Sequence, residues 1–140
     1  MDADGRQPHV LVVDDARDTI DLLRDLLEGE GYRVTTSVAV LDLDTVRDLA
    51  PDVIVHDLVF GQAPEKGGTF LSLVRRDPGL SRVPVVLCTA AASAVRDPEM
   101  ADRMAGFGVR IVLKPFDVAT LLDELAAALA GQAAPAFDRA

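Results

Sequence analysis

Five short β-like runs, three of them apolar, separated by stretches with helical spacing, constrain the fold of this chain more than any other feature of its sequence. Val10-Leu11-Val12-Val13 and Val53-Ile54-Val55 are apolar without a break. A strand wetted on one side alternates apolar and polar residues, so unbroken runs mean strands covered on both faces. Tyr32 to Val38, Val83 to Cys88 and Val109 to Leu113 complete the set, with Pro84 tolerated near the start of its run. Between the first two runs, Ile20, Leu23, Leu26 and Leu27 recur at helical spacing until Gly29 and Gly31 stop the helix. Leu43 to Leu49 predicts a short helix ending before Pro51. Gly61 to Gly68 reads as a Gly- and Pro-rich loop, and Thr69 to Arg76 as a helix with Phe70, Leu73 and Val74 on one face. Asp97-Pro98-Glu99 is a helix start: Asp caps, Pro fits the first turn and Glu sits at the positive end. Met100, Met104 and Phe107 mark the buried face of that helix. Asp117 to Ala130 is the last helix, with Val118, Leu121, Leu122, Leu125 and Leu129 inward.

Five β-runs alternating with five helices predict a doubly wound α/β fold, a parallel sheet with helices on both faces and right-handed crossovers. A length of 140 residues suits one domain, and 49% hydrophobic residues exclude a disordered chain. The domain is expected over residues 9–130, between flexible ends at 1–8 and 131–140. So short an end after the last helix is expected to hold no output domain.

The formal charge of −9 argues against direct contact with nucleic acid or an anionic membrane, both of which need a basic footprint. No apolar run approaches the roughly 20 residues that span a bilayer, and no signal-like start is present, so a cytoplasmic location is expected. The single cysteine, Cys88, lies in an apolar run and is expected to be a buried, inert thiol. Arg75-Arg76 with Arg82 nearby is the only basic cluster, as expected of a solvated helix end.

Ligands of an open parallel sheet bind at the carboxyl ends of its strands. The first run is followed by Asp14-Asp15, the third by His56-Asp57, the fourth by Thr89 and the fifth by Lys114-Pro115. Three carboxylates, a hydroxyl and an ammonium thus converge on one edge. Three packed carboxylates need a cation, and a hard divalent ion such as Mg²⁺, keeping several waters, suits them. With that charge balanced, one carboxylate can attack phosphorus and become an acyl phosphate. His56 is expected on the face opposite Asp57, as a satisfied, partly buried histidine. His9, His56 and Cys88 have no metal-ligand spacing.

The segments Val-Leu-Val-Val-Asp14-Asp15, Val-Ile-Val-His-Asp57, Leu-Cys-Thr89-Ala and Leu-Lys114-Pro-Phe together resemble the response-regulator receiver family, from about Val10 to Leu129. The resemblance implies a flavodoxin-like (βα)5 fold of the stand-alone CheY-like type, with strand order 2-1-3-4-5. It implies Asp57 as the phosphoacceptor, with Thr89 and Lys114 turned toward the phosphoryl group. Asp14, Asp15, Asp57 and the backbone carbonyl of Val59 would hold Mg²⁺, Asp14 mainly through water. A cis Lys114-Pro115 bond is implied as well. The donor would be a sensor histidine kinase or a phosphotransfer protein, and the output a downstream protein partner, with a dimer allowed for. Two departures stand out. Ile111 occupies the position of the family's switch aromatic, and the loop after Asp57 is longer and lacks the usual Met-Pro pair. They motivate an alternative, a phosphorylation-independent protein-binding module. Val59 and Ala91 cannot orient attacking water, so a long-lived phosphoryl state is expected. An aspartyl-phosphate phosphatase would need a second acid where Val59 stands, so an enzyme is not expected.

Overall fold

The computed structural model describes residues 7–57, 64–90 and 97–131, side chains at 64–68 excepted. Its strands are β1 (His9–Val13), β2 (Arg33–Ser37), β3 (Val53–His56), β4 (Val85–Thr89) and β5 (Arg110–Leu113). They form one parallel sheet in the order β2-β1-β3-β4-β5. The helices are α1 (Arg17–Gly29), α2 (Leu43–Leu49), α3 (Pro64–Arg76), α4 (Pro98–Phe107) and α5 (Val118–Leu129). The doubly wound α/β fold and its strand order are those expected from the sequence.

Period-two alternation along the strands divides the core in two. Leu11, Val13, Ile54, Val85 and Leu87 pack with Val46 of α2, Phe70, Leu71 and Val74 of α3 and Met104 of α4. On the other face, Val10, Val12, Val53, Val55, Val86, Cys88 and Val112 meet α1 through Ile20, Leu23 and Leu27, and α5 through Leu121, Leu125 and Ala128. β1 and β3 are buried along their whole length, which explains their unbroken apolar sequences. No helix among the described residues is long and apolar enough to cross a membrane.

The largest differences from the sequence reading lie in α3 and at the start of β4. α3 begins at Pro64, inside the stretch read as a loop. Pro is pre-organised for the first helical turn. Gly67 and Gly68 each cost about 1 kcal/mol relative to alanine, less than the burial of Phe70, Leu71 and Val74 that the helix secures. Leu73, expected inward on that helix, is 44% exposed, and Leu71 takes the buried position. β4 begins at Val85 instead of Val83, because Pro84 has no N–H for the ladder; its carbonyl still accepts from the Ile54 N–H at 3.0 Å.

The start of α4 is as expected: the Asp97 carboxylate accepts from the Met100 N–H at 3.2 Å, with Pro98 in the first turn. Asp97→Ala is expected to lower stability by about 1 kcal/mol, read from urea denaturation midpoints at an unchanged slope. An unaltered midpoint would mean that water replaces the cap without loss.

Candidate functional site

The acidic end of the sheet is built by strand register. Val13, His56, Leu87 and Ile111 form one row of paired residues across β1, β3, β4 and β5. One residue further on, β1 and β3 end in Asp14 and Asp57, and their backbones are still held. The Asp14 N–H donates to Ser37 O and the Asp57 N–H to Val13 O, both at 3.1 Å. The Lys114 N–H donates to Thr89 O at 2.8 Å, so the end of β5 is fixed to the end of β4. Parallel pairing therefore delivers Asp14, Asp57, Thr89 and Lys114 to one edge.

Asp14, Asp57 and Thr89 are buried, whereas Asp15 is exposed. Carboxylate oxygens of Asp14, Asp15 and Asp57 lie within 4.8 Å of one another. Lys114 Nζ donates to Asp14 Oδ2 at 2.6 Å and lies 3.5 Å from Asp57 Oδ2. The other Asp14 oxygen accepts from the Ala16 N–H at 2.9 Å, which turns the chain from β1 into α1. Burial alone would depress the Lys114 pKa, but its hydrogen bond to Asp14 and the charges of Asp57 and Asp14 raise it on balance. The ammonium is thus held protonated between two carboxylates. Three carboxylates against one ammonium leave the cluster two charges short of neutrality, and its all-oxygen donor set fits a hard divalent cation. The cluster could hold a metal ion.

The carboxylates of Asp14, Asp15 and Asp57 and the Lys114 ammonium therefore meet at this edge, buried Thr89 ends the neighbouring strand there, and the Lys114-Pro115 bond is cis. Val59 and Ala91 lie outside the described residues. Ile111 is partly buried against the α2–α3–α4 side of the core, in the same register row as His56.

His56 is buried more completely than expected, at 1% exposure. Its Nδ1 donates to the Asp57 carbonyl oxygen at 2.7 Å. Its ring stacks on Phe70 of α3, with centroids 4.5 Å apart and planes at 21°. Burial pushes the imidazole pKa down to about 4, against smaller upward contributions from the bond to the Asp57 carbonyl and from the Asp14 charge. The opposite-face placement was readable from alternation. The stack was not, because it needs the position of α3. Cys88 is buried behind the site, and loss of solvent pushes its thiol up to about 12, as suits an inert residue.

An acidic cluster, buried but for Asp15, at the carboxyl edge of a 2-1-3-4-5 parallel sheet, bridged by a lysine that precedes a cis proline, defines a receiver-type module. The family model of the response regulator receiver domain matches residues 10–126, and the chain belongs to that family. It is a receiver domain of two-component signalling, and such domains are in general signalling modules and not enzymes. It is 34% identical over 85 residues to the polar-differentiation response regulator DivK of Brucella ovis, a match over 59% of this chain and 67% of DivK. It is 30% identical over 126 residues to the DNA-binding dual master transcriptional regulator RpaA of Synechocystis, covering 87% of this chain but only 49% of RpaA. The chain thus spans about half the length of that relative. The chemotaxis response regulator CheY4 of Vibrio cholerae has a similar structure, with TM-score 0.70, 25% identity, and coverage of 87% of this chain and 98% of CheY4. A CheY-like receiver domain protein from Methanospirillum hungatei shares the fold at TM-score 0.76 and 20% identity, over 90% and 96% of the two chains.

Proposed function

We propose that this domain is a stand-alone response regulator that accepts a phosphoryl group on Asp57 from a sensor histidine kinase or phosphotransfer protein. The observation that carries this reading is the lysine bridge. Lys114 Nζ reaches both Asp14 and Asp57, so the carboxylate that would react already faces a fixed cation. Asp14, Asp15, Asp57 and the Val59 carbonyl would hold Mg²⁺, which when bound offsets negative charge on the transferring group. An Asp57 carboxylate oxygen attacks phosphorus, and the bond from phosphorus to the donor histidine nitrogen breaks. The electron pair of that bond leaves with the imidazole. Lys114 then exchanges part of its contact with Asp57 for a phosphoryl oxygen, and the Thr89 hydroxyl donates to another. The added dianion is the source of differential free energy for a change in partner affinity. The output is a protein partner, because a charge of −9 opposes direct contact of this domain with nucleic acid or an anionic membrane surface. The domain catalyses only its own phosphorylation and dephosphorylation.

Incubation with acetyl phosphate, followed by intact-protein mass, tests the chemistry. The expected result is one phosphoryl adduct that requires Mg²⁺ and is absent in Asp57→Asn. Ile111, aliphatic where the family's switch aromatic stands, favours a second reading, a protein-binding module indifferent to phosphate. A folded wild type that takes no adduct with Mg²⁺ present would select it.

A further inference from the structure

The end of the sheet opposite the acidic site holds a cavity of about 720 Å³. Residues that precede or begin strands form much of its wall: Tyr32 before β2, Asp52 before β3, Pro84 before β4 and Arg110 at the start of β5. Arg75, from the last turn of α3, and Arg82 complete its charged lining. Three arginines therefore face one carboxylate here, in a chain with 14 basic and 23 acidic residues. The arginine cluster near residue 75, read from sequence as a solvated helix end, is in part drawn into this cavity.

The three arginines are not equally engaged. Arg110 Nε is paired with Glu124 Oε2 at 2.5 Å. Arg75 is half-buried, and the loss of solvent lowers its pKa. Its partners are neutral carbonyl oxygens: Nε donates to Phe107 O at 2.8 Å, and Nη1 to Val83 O at 2.7 Å and more weakly to Ser81 O at 3.5 Å. Its Nη2 makes no hydrogen bond among the described residues. The side chain of Arg82 is exposed and has no ion pair or hydrogen bond among them. The one carboxylate, Asp52, accepts from the His9 backbone N–H at 2.7 Å at the foot of β1.

Phe107 ends α4, so capping of a helix C-terminus accounts for one Arg75 donor. It leaves Nη2 and the whole of Arg82 unexplained. A half-buried guanidinium bonded only to carbonyls lacks a counter-charge, and anions carrying phosphate match its planar fork. The volume lies within the range of small-molecule sites, roughly 300–1,000 Å³. Tyr32 and Pro84 give the cavity apolar surface suited to a ring.

We propose that this cavity binds a phosphorylated small molecule of nucleotide size, with Arg75 and Arg82 taking its phosphate groups. The site is independent of the acidic cluster and of the chemistry proposed there. Calorimetric titration of ADP into the full chain, unphosphorylated and in EDTA, tests it without involving Asp57. One-site binding is expected, weakened at least about tenfold in Arg82→Glu, because a favourable charge contact becomes a repulsive one. Arg82 is the position of choice because its side chain makes no hydrogen bond or ion pair among the described residues, and an unchanged melting temperature will verify the fold. Inorganic pyrophosphate should compete with ADP. Absence of binding by both anions, or equal ADP affinity in wild type and Arg82→Glu, overturns the proposal. Adduct formation with acetyl phosphate should be the same in Arg82→Glu as in wild type, so the two proposals stand or fall separately.

Discussion

In metal-free buffer, Lys114→Met is expected to lose about 3 kcal/mol of stability, while Asp57→Asn gains stability relative to wild type. The opposite signs follow from one charge count. Lys114 Nζ sits 2.6 Å from Asp14 and 3.5 Å from Asp57, with only 18% of its side chain exposed. Removing one partner of a largely buried ion pair costs about 3–5 kcal/mol, because the remaining charge keeps its desolvation penalty without compensation. Here three neighbouring carboxylates would remain together. Asp57→Asn removes one of them and keeps the ammonium, so repulsion falls. The folded-state pKa of Lys114 is raised, so its contribution is fully present below the ordinary lysine value of 10.5 and lost as pH rises through the folded value. Near neutral pH the whole effect is available to urea denaturation. A divalent cation binding only the folded state should narrow the gap between Lys114→Met and wild type, since it supplies the missing positive charge. Equal stability of Lys114→Met and wild type in EDTA would remove the lysine from this role.

A second large effect is expected on acidification. The buried imidazole of His56 has its pKa pushed down to about 4, from an ordinary value of 6.5. Below pH 6.5 the unfolded chain binds a proton that the folded protein excludes, so stability falls as pH drops from 6.5 toward 4. Each unit of difference corresponds to about 1.4 kcal/mol, and the loss over the window approaches roughly 3 kcal/mol. His56→Leu keeps an apolar body against Phe70 and has no proton to bind. Its stability should therefore fall less steeply than that of wild type between about pH 6.5 and about pH 4.5. Carboxylates titrating in the same range contribute to both proteins and cancel in the difference. Parallel curves for the two would show that His56 takes up its proton without unfolding.

Much of this molecule was legible in its sequence because parallel sheets write themselves plainly. β1 and β3 are buried on both faces, and their unbroken apolar runs end where Asp14 and Asp57 begin. Residues that follow strands must emerge at the same edge, so the meeting of Asp14, Asp57, Thr89 and Lys114 followed from alternation of strand and helix. The start of α3 was not legible. Two adjacent glycines suggest a loop locally, and only the packing of Phe70, Leu71 and Val74 overrides that preference. Neither was the true state of Arg75, whose neighbours Phe107 and Val83 lie distant in sequence and are brought together by the crossovers. The bond from Lys114 to Asp14 joins residues 100 positions apart, and no local pattern announces it.

The strand order also sets a direction of assembly. β1 pairs with both β2 and β3, so the first three strands, all within residues 9–56, form a contiguous block. β4 then adds to β3, and β5 to β4, always on the same side. A polypeptide emerging from the ribosome N-terminus first can lay down its sheet in the order of synthesis, each new strand meeting an edge that already exists. Asp14 and Asp57 follow strands of that first block, whereas Lys114 follows the fifth strand.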